Sequence, residues 1–286
     1  MAAITLAAAN CCSPSTPYVA EEFVISTNPS EQGGVAISGG IVIWEELRTG
    51  NSDILSYNLA NSTEFIICTD PASQRTPAIS GDIVVWADER NGNLDIFGYD
   101  LATDTEFPIC TDPANQWTPA ISGDIVVWAD ERNGNFDIFG YNLANSTEFI
   151  ICTDPSPQLF PTISGETVVW IDKRNGNPDI YGYNLVAGTE FPICNEPSQQ
   201  WDPAISGNTV VWRDLRHGNG DIYGYDLATD TEFPICTDPA AQQFPAIFGD
   251  IVVWKDNRND NYDIYGYNLG TGEEFTICIN QAPQAG

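Results

Sequence analysis

PAISGDIVVWADERNGNFDIFGYNLANSTEFIICT, residues Pro119 to Thr153, is the stretch from which the rest of the chain can be read. It recurs with small changes along almost the whole sequence. Trp44, Trp86, Trp128, Trp170, Trp212 and Trp254 are spaced 42 residues apart, and Cys68, Cys110, Cys152, Cys194, Cys236 and Cys278 keep the same interval. A period of about 40 residues containing four strand-like pieces is the pattern of a propeller blade. In the second unit the pieces are Pro77 to Ser80, Ile83 to Ala87, Asp95 to Leu101 and Glu106 to Thr111. Ser80-Gly81-Asp82 turns the chain between the first two. Asn91-Gly92 signals a hairpin in which both central residues take positive φ.

The second piece, Ile83-Val84-Val85-Trp86-Ala87, is a nearly continuous β-branched and aromatic run, the kind that is buried on both faces. Such strands are satisfied when four-stranded sheets pack face to face, as blades do. The expected fold is therefore all-β: a six-bladed β-propeller of four-stranded antiparallel blades. It is expected to span 21–280 as one domain, with 1–20 a disordered segment or signal remnant and 281–286 a C-terminal tail. Each repeated tryptophan should fill a gap between blades, contributing roughly 2–3 kcal/mol by burial.

The motif resembles the propeller repeats of the TolB family, which read approximately P-x-x-S-P-D-G, a hydrophobic strand, S-D-R-x-G-N-x-D-I-Y and D-L-x-T-G. The matching residues are Pro119, Ser122, Gly123 and Asp124, then Asp130, Arg132, Gly134, Asn135, Asp137, Ile138 and Phe139, then Asn142 and Leu143. Recurrent Val-Val-Trp and Gly-Tyr-Asn/Asp-Leu are also similar to the propeller segments of methanogen surface proteins. The resemblance covers all six units and implies the propeller fold.

Glu22-Phe23-Val24-Ile25-Ser26-Thr27 aligns with Glu64 to Thr69, so a seventh strand of the fourth type precedes the first unit. Unpaired edges are a liability. The surplus strand is expected to close the ring against the last blade or, alternatively, to dock on another subunit and drive self-association.

Composition narrows the function. Forty acidic residues against ten basic ones give a net charge of −30, which disfavours nucleic acid and anionic membranes as partners. No run of 18 apolar residues suggests membrane insertion. Ile4 to Ala9 resembles the tail of a secretory signal, and Asn61-Ser62-Thr63 and Asn145-Ser146-Thr147 are sequons in expected turns. Both suit an extracellular or cell-surface location. The six periodic cysteines are expected to be free thiols filling space between blades. Facing sheets stand about 10 Å apart, whereas a disulfide needs Cα atoms within about 7 Å. Cys11-Cys12 is read as a signal remnant.

No cofactor or metal is expected. The repeated Asp88-x-Arg90-Asn91-Gly92-Asn93-x-Asp95 loop lacks EF-hand spacing, since Arg90 stands where an oxygen ligand is required. Its acids are expected to bind the turn and pair with Arg90. His217, the sole histidine, replaces the asparagine of its turn and has no evident orienting partner. Every obvious carboxylate pair repeats in all units, whereas one catalytic centre should break the symmetry. No catalytic residue is assigned.

The functional candidates are the positions where the repeat fails. Just before the first strand the pairs are Gly33-Gly34, Arg75-Thr76, Trp117-Thr118, Leu159-Phe160, Trp201-Asp202 and Gln243-Phe244. Arg75, Trp117, Leu159, Phe160, Trp201, Asp202, Gln243 and Phe244 are expected to bind a protein or glycan ligand at one mouth of the propeller channel. Ser52, Leu94, Phe136, Pro178, Gly220 and Tyr262 also vary and are expected on the same face. The expected function is a non-catalytic binding module. The alternatives are a lyase or glycosidase using Asp202, Arg75, Arg213 or His217, and a surface-layer or filament subunit.

Overall fold

The computed structural model describes residues 23–48 and 50–279. All regular structure among them is β. The first sheet holds β1 (Gln32–Ser38), β2 (Ile41–Arg48), β3 (Asn51–Asn58) and β4 (Thr63–Cys68). The second holds β5 (Gln74–Ser80), β6 (Ile83–Asp88), β7 (Asp95–Asp100) and β8 (Thr105–Cys110). The third holds β9 (Gln116–Ser122), β10 (Ile125–Asp130), β11 (Asp137–Asn142) and β12 (Thr147–Cys152). The fourth holds β13 (Gln158–Ser164), β14 (Thr167–Asp172), β15 (Asp179–Asn184) and β16 (Thr189–Cys194). The fifth holds β17 (Gln200–Ser206), β18 (Thr209–Asp214), β19 (Asp221–Asp226) and β20 (Thr231–Cys236). The sixth holds β21 (Gln242–Phe248), β22 (Ile251–Asp256), β23 (Asp263–Asn268) and β24 (Glu273–Cys278).

Each sheet keeps its four strands in sequence order, the meander of a propeller blade, and the fold is a six-bladed β-propeller with a 42-residue repeat. The strands fall within a residue or two of their expected limits, except that the first begins three residues earlier, at the glutamine. The described residues form two compact units, one over Val24–Val168 and one over 169–279, the division falling within β14. In the first, β1 packs on β5, β5 on β9 and β9 on β13; in the second, β17 packs on β21.

Within a unit the apolar face of one sheet meets the tryptophan of the next in three places. Trp86 is fully buried against Ile43, Ile54, Ile67 and Cys68 of the first sheet, and Trp128 against Val85, Ala87, Ile96 and Cys110 of the second. Trp254 repeats this on Val211, Ile222 and Cys236. None of the six periodic cysteines is in a disulfide and five of them are buried, as their spacing predicts. Burial pushes the thiols of Cys68, Cys110, Cys194 and Cys236 up to about 12. A Cβ on Gly98 would stand 2.7 Å from the Phe107 ring, so the recurrent Gly-Tyr needs glycine to let that ring lie across the strand.

The loop after each second strand is closed by its own side chains. The Trp86 indole donates to Asp88 at 2.8 Å, and the Arg90 guanidinium pairs with Asp88 at 2.6 Å and with Glu106. The same guanidinium lies 4.2 Å over the Phe97 ring and donates to the Cys68 sulfur at 3.3 Å. Asp95 accepts from Asn91 at 2.6 Å and from Asn93 at 2.7 Å. Asn93 also donates to the carbonyls of Asp112 and Ala114, tying the hairpin to the loop that leads into the next blade. Asp88 thus pairs with Arg90 as expected, whereas Asp95 is occupied by two amides instead.

Three expectations need correction. Only Gly92 of the Asn91-Gly92 pair has positive φ, at 92°, and its N–H donates to Glu89. The loop is therefore a turn over Glu89 to Gly92 that runs on to Asp95, because the Asp88 and Asp95 networks hold a longer connection than a two-residue hairpin. The strand expected at Glu22 to Thr27 is not formed among the described residues; Val24 makes an isolated bridge, and Glu22 lies outside them. Ile25 and Ser26 are nonetheless buried at 6% and 5%, like Ile67 and Cys68. Asn28 caps its loop through Ser30 N–H, as Asp70 does through Ala72 N–H, so 25–32 repeats the junction between blades. Finally, Leu94, Pro178 and Gly220 are buried rather than displayed. Their backbone explains it: the carbonyls of Leu94, Pro178 and Gly220 accept the N–H of Gln116, Gln200 and Gln242. The hairpin thus does lie beside the next first strand. The cysteine pair Cys11-Cys12 and the expected signal segment lie outside the described residues.

Candidate functional site

The first strands β1, β5, β9, β17 and β21 are bulged where the repeat breaks. Arg75 faces Ala87 and Ala78 faces Val85, so Thr76 and Pro77 oppose the single residue Trp86. The bulge turns on a left-handed residue: φ is 49° at Thr76, 48° at Thr118, 52° at Phe160, 55° at Asp202 and 52° at Phe244. Gly34 holds the same place in the first sheet at 56°. Glycine adopts this conformation without steric cost, and a phenylalanine there is an uncommon and strained choice. The proline that follows suits a bulged edge strand because it has no N–H to leave unpaired.

In the first unit the bulge displays Arg75, Trp117 and Phe160, with Leu159 half-buried. Trp117 is 37% exposed and Phe160 49%. Arg75 pairs with Glu89 at 3.1 Å on the open surface, and Thr76 N–H donates to Glu45 at 2.9 Å.

In the second unit the candidates are joined by contacts. Trp201 and Arg213 are cross-strand partners, as are Gln243 and Lys255. Asp202 lies 3.1 Å from the Arg213 Nε and also accepts the Phe244 N–H. Burial raises the Asp202 carboxyl, and the Arg213 charge and that N–H offset it only in part. Lys173 stands 5.7 Å over the Trp201 ring and Lys255 5.3 Å over the Phe244 ring. Phe244 itself is 56% exposed.

Arg213 owes its place to Gly220. A Cβ on Gly220 would meet the Arg213 side chain at 3.0 Å and the Gln242 carbonyl at 2.4 Å. Where the hairpin carries Leu94 or Phe136, the residue after the tryptophan is Ala87 or Ala129. Glu45, Ile171, Arg213 and Lys255 occupy that position in the other sheets. Of these only Arg213 was singled out from the sequence. The signal was available, since the residue after each invariant tryptophan varies as much as the one before each bulge.

His217 has a structural part. Its Nδ1 lies 2.6 Å from Asp221, where Asn133 donates to Asp137 in an equivalent loop. It stands apart from the Asp202–Arg213 pair in the contacts it makes. Elsewhere, a shallow cleft between the second and third sheets is lined by Phe107, Asp124, Tyr141 and Ser146, and none of the variable positions reaches it.

No family model matches the sequence, and no curated protein matches it. Solved structures do match the fold. TolB from Acinetobacter baumannii superposes with a TM-score of 0.62 at 16% identity, over 82% of this chain and 62% of its own. An oligogalacturonate lyase from Vibrio parahaemolyticus gives 0.61 at 14% identity, covering 84% of this chain and 74% of that one. A prolyl endopeptidase gives 0.74 at 11% identity, covering 93% of this chain and 46% of that one. The chain therefore spans less than two thirds of the TolB structure and under half of the peptidase. The resemblance to TolB seen in the repeat holds at the level of fold. At such identities the fold is all that is shared, and it is one that both TolB and enzymes use.

Proposed function

We propose that this chain is a non-catalytic binding module, extracellular or on the cell surface, which takes a protein partner or a glycan on the residues that break its repeat. The observation that carries this reading is the display of phenylalanine at left-handed bulge positions. Phe160 and Phe244 are exposed at φ 52°, in a place where Gly34 shows that glycine would serve. Strain of about 1–3 kcal/mol at such a residue is retained where the side chain has work to do. Aromatic anchors are also what binding surfaces favour. Sequons in exposed turns at Asn61 and Asn145 support export. The buried thiols of Cys68, Cys110, Cys194 and Cys236 do not oppose it, because burial keeps them protonated and shielded from oxidants.

Peptide and glycan arrays probed with the purified chain test the reading. Trp117→Ala and Phe160→Ala should abolish the bound signals while leaving the melting temperature unchanged. Unfolding by both variants would make these side chains core and sink the proposal. Light scattering on the same samples detects a filament or surface-layer assembly. A lyase or glycosidase is the second reading, favoured by the asymmetric Asp202–Arg213 pair and its raised carboxyl. Turnover of a saccharide lost in Asp202→Asn would establish it.

A further inference from the structure

The sequence holds ten basic residues. Six are the arginines of the repeat, and Arg48, Arg90, Arg132, Arg174, Arg216 and Arg258 are each consumed by an ion pair to the carboxylate two residues before. The remaining four are Arg75, Lys173, Arg213 and Lys255. Arg75, Arg213 and Lys255 lie on or opposite the residue before a bulge, Lys173 reaches the Trp201 ring from the loop after β14, and three of the four fall in the second unit. There Lys173, Trp201, Arg213, Asp202, Phe244 and Lys255 form one continuous run of contacts. It brings three cations together with a single carboxylate, on a chain whose net charge is −30.

Their bonding leaves the cations available. Neither Lys173 nor Lys255 makes an ion pair among the described residues; each rests on an aromatic face. Arg213 Nε and Asp202 Oδ2 are 3.1 Å apart, yet both are buried atoms without an aligned hydrogen-bond partner. An unaligned buried pair is poorly compensated, and a second carboxylate reaching the guanidinium fork would complete it.

We infer that this cluster binds an acidic peptide segment, with Arg213, Lys173 and Lys255 as the groups that recognise its carboxylates. The inference rests on the binding-module reading and assigns its ligand class. A peptide is favoured over an acidic saccharide by what already covers the rings of the cluster. Lysines already cover a face of Trp201 and of Phe244, which leaves those rings less open to stacking on a sugar. The long-range field of an acidic protein repels anions, so a ligand of this class is held by local contacts at the cluster.

Fluorescence anisotropy of fluorescein-labelled hexaglutamate with the full chain at physiological ionic strength tests this, with a labelled alginate hexamer run in parallel. Wild type should bind hexaglutamate, and Lys173→Gln/Lys255→Gln should weaken binding at least roughly tenfold, the effect of losing one good charge contact. Val186→Gln, in an exposed turn outside the variable positions, should leave it unchanged. Asp202→Asn/Arg213→Gln removes both buried charges together, so it should fold and also lose the peptide. Absence of hexaglutamate binding, retention in the lysine double variant, or equal loss in Val186→Gln overturns the inference. So does binding of alginate alone, which would assign the cluster to an acidic saccharide. Panning a random peptide library separates the two levels: neutral peptides that require Phe160 or Phe244 would keep the module and reject the acidic ligand.

Discussion

At Phe160 a single dihedral angle separates stability from display. The residue holds φ 52° with its ring 49% exposed, while the first sheet makes the same bulge with Gly34. Phe160→Gly should therefore raise the unfolding free energy by about 1 kcal/mol, less the entropy glycine restores to the unfolded chain, and should abolish ligand binding. Urea denaturation measures the first and array binding the second. A variant less stable than wild type would mean the ring packs rather than presents. The buried thiols give a pH dependence of definite sign. Cys68, Cys110, Cys194 and Cys236 hold their protons to about pH 12 when folded. Unfolded thiols lose theirs near about 8.5. The neutral form is thus favoured by folding, so this stability is complete below about pH 8.5 and declines as pH rises toward 12. Melting temperatures should fall across that window, and serine at one of these positions should flatten the fall. In neutral buffer a thiol reagent should leave the five buried cysteines unmodified until denaturant is added.

At the scale of the element, the hairpin and the loop that follows each blade behave as one unit. Asn93 places its amide against Asp95 and the carbonyls of Asp112 and Ala114, and Asn135 and Asn219 repeat the contacts to the following loop. Asn93→Ala leaves one buried carboxylate and two carbonyls short of a donor, which should cost about 1–3 kcal/mol in equilibrium unfolding. A neutral result would mean water replaces the amide fully. This element also shows what the sequence could and could not tell. Strand order and limits were legible because Val-Val-Trp and Gly-Tyr repeat with the two-residue alternation and the turn residues of a meander. The bulge was not, because Thr76, Phe160 and Asp202 share no residue type that encodes a left-handed φ. Asn-Gly misled for a related reason: that pair favours a two-residue turn, but here the amides of Asn91 and Asn93 are drawn to Asp95. The variable residues before each bulge were visible as breaks in the repeat. Their cross-strand partners Arg213 and Lys255, which give the second unit its chemistry, became meaningful only once the register placed them opposite Trp201 and Gln243.

For the molecule as a whole, charge is the dominant unbalanced quantity. Forty acidic residues face ten basic ones, and the six repeat arginines are already committed to aspartate or glutamate neighbours, one of which is fully buried in each blade. Hydrogen bonds from Arg216 and Trp212 overcome burial to hold the Asp214 carboxyl below the usual range, and Arg258 and Trp254 do the same for Asp256. Pairs with one end in the interior are screened weakly by salt, whereas repulsion among exposed carboxylates is screened strongly, over a Debye length of about 10 Å at 0.1 M. Compaction of a strongly charged chain works against that repulsion. Added sodium chloride should therefore raise the melting temperature steadily through the range in which the Debye length falls below the spacing of surface charges, and then level off. Surface bridges such as Arg75–Glu89 pull the other way, but an exposed pair contributes at most about 1 kcal/mol. A scanning calorimetry series in sodium chloride decides between the two. A melting temperature that falls with salt would show that attractive surface pairs, rather than the excess of acid, set the electrostatic part of stability.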